Sequence, residues 1–98
     1  MMWEVSDRPQ ILELGYVVAT PGALQALESA RQSADEFLAR HEAGDWGEVG
    51  EADRDENGLS LREGFRILSA YTLRTGVKIW IITEADRSAT TVLLPEEY

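Results

Sequence analysis

The feature that most constrains this chain is the spacing of three apolar runs near its end. Residues 66–73 read Arg-Ile-Leu-Ser-Ala-Tyr-Thr-Leu, and residues 77–83 read Val-Lys-Ile-Trp-Ile-Ile-Thr. Residues 89–94 read Ala-Thr-Thr-Val-Leu-Leu and are closed by Pro95. Their β-branched and aromatic side chains suit a pleated, half-buried surface. Arg74-Thr75-Gly76 is short enough for a hairpin, with Gly76 at the strained position. Residues 84–88, Glu-Ala-Asp-Arg-Ser, supply a second turn. The last third therefore reads as an antiparallel meander.

Upstream, the pattern changes to helices. Residues 14–20 suggest a strand in which Gly15 marks a bulge or a close approach. Pairing of this strand with the meander would give four strands. Thr20-Pro21-Gly22-Ala23 is a helix start: Thr20 caps, and Pro21 loses no hydrogen bond at the first helical position. Leu24, Leu27 and Ala30 then form one apolar stripe. Ser33-Ala34-Asp35-Glu36 is a capping box opening a second helix, with Phe37 and Leu38 on its apolar face. That helix ends near Arg40-His41-Glu42-Ala43, with Gly44 as a left-handed terminator. Gly44-Asp45-Trp46-Gly47 reads as a tight turn anchored by the Trp46 ring. Beyond it, Glu51–Gly64 is either one helix that tolerates Gly58 or two shorter ones, the second capped by Ser60 with Glu63. The expected fold is α+β, with N-terminal helices packed on one face of a three- to four-stranded antiparallel sheet whose other face stays wet. It forms one small domain over residues 1–98, with 1–10 a loose lead-in from which Trp3 folds back.

Composition removes several function classes. The chain has 98 residues, 18 acids against 9 bases, a net charge of -9, no Cys and one His. Without Cys there is no disulfide, thiolate nucleophile or Cys-bound zinc, and one His excludes a site built on several His ligands. No cofactor and no metal is expected. The apolar runs are far shorter than the roughly 20 residues of a membrane span, and the N-terminus lacks the pattern of a signal peptide. A cytoplasmic protein without membrane contact is the expectation. Direct DNA binding conflicts with the charge, because the phosphate backbone needs clustered cations. A basic protein surface is the better partner.

The acids are concentrated. Seven fall between Glu42 and Glu56, against Arg54 as the one Lys or Arg. Asp53, Asp55, Asn57 and Gly58 match the opening of a calcium loop, but its twelfth position is Gly64 and Glu63 comes one residue early. That slip turns the carboxylate by about 100° on a helix, so a solvated acidic face is the better reading. Asp45, Trp46, Glu48, Glu51, Asp53, Asp55 and Glu56, with Asp86 in the later turn, are the candidate binding residues. His41 reads either as a helix-end residue facing free carbonyls or as a general acid or base. In the turn Thr83–Thr91, Arg87 offers a planar fork for phosphate, and Ser88 offers a hydroxyl. With His41 and Tyr71 these would make a metal-independent ribonuclease-like cleft on one sheet face. In the simpler alternative, Asp86 forms an Asx turn and Arg87 pairs with Glu84 or Asp86.

The stretch from Gly76 to Pro95, Gly-Val-Lys-Ile-Trp-Ile-Ile-Thr-Glu-Ala-Asp-Arg-Ser-Ala-Thr-Thr-Val-Leu-Leu-Pro, resembles a family of small bacterial proteins carried on plasmids and integrative elements. Ala19-Thr20-Pro21-Gly22-Ala23, His41–Gly47 and Leu68-Ser69-Ala70-Tyr71 look like further marks of it. The resemblance implies a helix across Asp55–Leu59 and a mobile-element setting, with defence modulation or toxin-like activity. It transfers no functional residues. Two functional expectations stand side by side. One is an acidic interaction module that binds a basic partner. The other is a ribonuclease-like enzyme using His41, Arg87, Ser88 and Tyr71, with RNA as its substrate. An exposed strand edge also makes a homodimer reasonable.

Overall fold

The meander forms as the residue spacing predicts. In the computed structural model, which describes residues 10–98, β2 (Ile67–Thr72), β3 (Lys78–Thr83) and β4 (Ala89–Leu93) pair antiparallel in sequence order. Gly76 takes φ +92° in the first turn. Apart from Gln10, the expected lead-in 1–10, Trp3 included, lies outside the described residues. Upstream come β1 (Tyr16–Ala19), α1 (Pro21–Ala30), α2 (Ala34–Glu42) and α3 (Glu51–Glu63). A single 3-10 turn, Pro95–Glu97, follows β4. The stretch 51–63 is thus one helix that runs through Gly58, and Gly64 ends it at φ +81°.

The fold is α+β with a mixed, mostly antiparallel four-stranded sheet in the order β1-β4-β3-β2. The departure from an all-antiparallel sheet is β1, which lies parallel to β4. Tyr16 N–H donates to Ser88 O and Thr20 N–H to Val92 O, each at 3.0 Å. Gly15, at φ +65°, lets the incoming chain pass so close that a Cβ there would stand 2.4 Å from the Arg87 and Ser88 carbonyls. At the other end Thr20 Oγ1 donates to Glu97 at 2.6 Å, tying the start of α1 to the C-terminal turn.

One sheet face carries Ile67, Ser69, Tyr71, Ile79, Ile81, Thr83, Thr90 and Val92, as the pairing register requires. Helices α1 and α2 bury that face through Ala23, Leu27, Ala30 and Phe37. The stripe of α1 is therefore 23, 27 and 30, and Leu24 is 55% exposed rather than buried. At α2, Ser33 accepts from Asp35 N–H, and the Glu36 carboxylate accepts from Gln32, so the expected reciprocal box does not close. The opposite face is not left wet. Ile82 and Leu93 are nearly buried there, and Trp80 meets the Tyr98 ring edge-on at 5.7 Å.

The two edges of the sheet are treated differently. At β2 the outward backbone groups all find partners at Leu68 and Ala70. The buried Asn57 amide of α3 donates to Leu68 O at 2.7 Å and accepts from Leu68 N–H at 3.2 Å, in place of a neighbouring strand. One step on, Ala70 N–H donates to Trp46 O, and Glu48 N–H donates to Ala70 O. A second small core of Leu12, Trp46, Val49 and Ile67 sits under this cover. Among the described residues no such cover lies on β1, where Tyr16, Val17 and Val18 are 83%, 46% and 50% exposed. Among the described residues no helix is long and apolar enough to cross a membrane.

One buried group is poorly matched. Ser60 is 1% exposed, and its hydroxyl has no partner. A desolvated hydroxyl without a hydrogen bond costs stability, and Ala is the better helix former. Ser60→Ala is therefore expected to raise stability by about 1 kcal/mol in urea unfolding. A loss on that substitution would mean the hydroxyl is satisfied in solution.

Candidate functional site

His41 is not at a solvent-facing helix end. It is fully buried between α2 and the sheet, where three polar residues interrupt the apolar alternation of the strands. Its Nδ1 lies 2.5 Å from Ser69 Oγ on β2, and its Nε2 lies 2.8 Å from Thr83 Oγ1 on β3. Thr83 Oγ1 is 2.7 Å from Thr90 Oγ1 on β4, and Thr90 donates to Leu14 O at 2.8 Å. The last bond sets the direction of the whole chain, because a carbonyl only accepts. The Thr90 proton goes to Leu14, so Thr83 donates to Thr90, and His41 Nε2–H donates to Thr83. Nδ1 is then the acceptor from Ser69. The imidazole is neutral, and burial pushes its pKa down from 6.5 to about 4. Ser69 beside His41 has the spacing of a nucleophile and its base. Yet both are 0% exposed, as are Thr83 and Thr90. The chain of four is closed to solvent and links α2 to three strands.

The other residues of the expected catalytic cleft point elsewhere. Arg87 sits in the β3–β4 turn with φ +62°. Its guanidinium donates to Ser60 O at 2.9 Å and Phe65 O at 2.7 Å, and more weakly to Glu84 O and Ala85 O. The expected pairing with the Glu84 or Asp86 carboxylate is replaced by these carbonyls, because the negative end of the α3 dipole suits a cation, and Ser60 O accepts from Arg87 in addition to the Gly64 and Phe65 N–H groups. Arg87 thereby clamps the turn to the last turn of α3. Asp86 does form the Asx turn, accepting from Ser88 N–H at 2.9 Å, and the Ser88 bonds hold its carboxyl below the usual range. Ser88 is exposed on that turn. Tyr71 is buried, donates its hydroxyl to Asp45 O at 2.6 Å, and lies under the Arg40 guanidinium at 4.6 Å. His41, Arg87, Ser88 and Tyr71 are thus spread over a core, a clamp, a turn surface and a loop anchor.

The acidic candidates divide into two groups. Asp45, Trp46 and Glu48 are structural where they stand. Asp45 pairs with Arg40 at 2.7 Å and accepts from Gly47 N–H, Trp46 is 5% exposed, and Glu48 accepts from Thr72 at 2.8 Å. Glu51, Asp53, Asp55 and Glu56 are exposed along the first half of α3. Asp53 and Glu56 help to line a groove of about 480 Å³, together with Asn57, Phe65, Leu68, Glu84 and Ala85. Arg66 also lines it, with its guanidinium leaning over the Tyr98 ring at 5.3 Å. Three carboxylates from two elements therefore line one recess together with Phe65, which is 54% exposed. Among the described residues no group of His, Asp and Glu is placed to hold a metal ion. The calcium-like spacing fails for a visible reason: it is wound into a helix, and its Asn57 faces the β2 edge.

Sequence reasoning missed three roles. The partners of His41 were signalled by Ser69, Thr83 and Thr90 occupying the positions that alternate with Ile67, Ile81 and Val92. The edge cover by Asn57 and the clamp by Arg87 had no local signal, since both bonds span chain segments far apart. Fold and groove together define a small acidic α+β domain with a surface recess that Asp53, Glu56, Glu84 and Arg66 line beside the exposed Phe65. Comparison of the chain with protein-family models, curated proteins and solved structures finds no match.

Proposed function

We propose that this protein is an interaction module that receives a basic, Lys- or Arg-bearing segment of a partner protein in the groove beside α3. The observation that carries the reading is that Asp53, Glu56 and Glu84 line one recess together with the exposed Phe65. Carboxylates from α3 and from the β3–β4 turn meet a cationic head, while Phe65 and Leu68 receive its aliphatic stem. A guanidinium also stacks well on an aromatic face. The mobile-element setting implied by the sequence resemblance fits a basic partner encoded by the element or its host. The ribonuclease reading has no comparable support, because its only imidazole is shut away from solvent.

A short Lys/Arg-rich peptide titrated into isotopically labelled protein tests this. Chemical-shift changes are expected to cluster at Asp53, Glu56, Phe65 and Glu84, and to weaken as salt rises. Neutralising Asp53, Glu56 and Glu84 together (Asn, Gln and Gln) is expected to weaken binding roughly tenfold or more. Equal weakening on neutralising Glu28, Glu36 and Glu96 would reduce the effect to net charge and overturn the groove as the site.

A further inference from the structure

We propose that the open edge strand β1 pairs antiparallel with β1 of a second copy, joining two four-stranded sheets into one of eight. The argument begins with the contrast between the edges. At β2, the outward groups of Leu68 and Ala70 are met by Asn57, Trp46 and Glu48. At β1, Tyr16 and Thr20 turn their N–H groups to β4, so the alternation of a strand turns those of Val17 and Ala19 outward. Natural edges are usually blunted by a charge, a proline or a bulge, and Tyr16-Val17-Val18-Ala19 has none of these.

The register follows from symmetry. Both outward-facing residues, Val17 and Ala19, are used at once across a twofold axis when Val17 meets Ala19 of the partner subunit, whereas a register centred on Val17 would set Ala19 against Gly15, whose φ of +65° takes it out of the strand. The axis then passes between the two Val18 residues. Tyr16 and Val18 share one sheet face, so each Tyr16 ring lies diagonal to the partner subunit's Val18, and the two cover each other. Three apolar side chains that are otherwise about half exposed or more leave water in this arrangement.

Charge points to a second copy as the occupant. At -9 per chain, most faces of the molecule would repel their own kind. The β1 strand is uncharged, and it lies at the opposite end of the sheet from β2, the strand against which the acid-rich α3 packs. In the paired sheet the two β2 strands stand seven spacings apart, roughly 34 Å at about 4.8 Å each. That is several times the Debye length of about 8 Å at physiological salt. Pairing at β1 thus keeps the two acidic surfaces and both grooves apart and accessible.

Sedimentation velocity of the full chain across concentrations up to about 1 mM reads the association. Wild type is expected to dimerise reversibly. Val18→Lys and Val18→Glu each set like charges against each other on the axis, and each is expected to raise the dissociation constant roughly tenfold or more. An equimolar mixture of the two variants is expected to recover the dimer, since the axis then joins Lys to Glu. Val17→Pro removes one outward N–H and leaves the β4 ladder intact, so it is expected to stay folded and monomeric. A wild type that is monomeric throughout overturns the proposal. So does a dimer that survives Val18→Lys, or a mixture that stays monomeric while both variants show native circular dichroism.

Discussion

Replacing Gly47 with Ala is expected to destabilise the domain by about 3 kcal/mol, a large part of the roughly 5–15 kcal/mol that holds a domain of this size. Gly47 has φ +73°, and a Cβ there would stand 2.0 Å from Ala70 O and 2.7 Å from the Tyr71 ring. Neither neighbour can retreat cheaply, because one is strand backbone and the other is a core aromatic. The loop must lift instead. Lifting breaks the two backbone bonds to Ala70, loosens the Tyr71–Asp45 bond, and pulls Trp46 out of the second core. The melting temperature should fall by roughly 15 °C. Gly58→Ala provides the contrast within the same protein. Gly58 lies inside α3 with open space around its Cα, so the substitution should stabilise by about 1 kcal/mol. Equal effects at the two positions, or a Gly47→Ala protein as stable as wild type, would contradict the edge-sealing role of the loop.

The second large effect is a loss of stability in mild acid that originates at His41. Burial lowers its pKa in the folded state from 6.5 to about 4. Above pH 6.5 the imidazole is neutral in both folded and unfolded chains, and His41 contributes no pH dependence. As pH falls below 6.5 the unfolded chain takes up the proton and the folded one does not, so unfolding is favoured. The loss grows until pH reaches about 4, and over that window it amounts to about 3 kcal/mol. Below the ordinary carboxylate range Asp86 and Glu97, both held low by hydrogen bonds, add a loss of the same sign. Urea unfolding midpoints from pH 8 to pH 4 measure the total. Because the chain has one His, imidazole NMR assigns the histidine part without ambiguity. The expected spectrum is a neutral ring with its proton on Nε2 down to about pH 5. A ring that titrates near 6.5, or that carries its proton on Nδ1, would contradict the closed chain through Ser69, Thr83 and Thr90.

These two effects show where the sequence was informative. The turn at Gly44–Gly47 was legible because glycine is the residue that tolerates positive φ, and two of them flank a Trp. The helix start at Thr20-Pro21 and the Asx turn at Asp86 were legible for the same kind of reason: cap and turn chemistry acts over three or four residues. His41 was visible only as a titratable group at a helix end. Whether such a group faces water or a strand depends on which strand lies beneath α2, and no local pattern carries that. Arg87 likewise had carboxylates one and three residues away in sequence, at Asp86 and Glu84, but its guanidinium is bonded to carbonyls at the end of α3 and just beyond it.

By itself, the sequence determined the element types, their order, the hairpin turns and the concentration of acid ahead of the meander. Each of these follows from side-chain periodicity, backbone permissiveness or charge, and all of them act locally. Tertiary structure alone decided the parallel placement of β1, the use of Asn57 as a stand-in strand partner, and the burial of His41. It also brought Glu84 across from Asp53 and Glu56. The reason is common to all four: the partners lie eleven or more residues apart, and their meeting is set by how the helices and sheet pack. The acid count therefore favoured a basic partner as an expectation, while the packing decided which three carboxylates line the groove proposed to receive it.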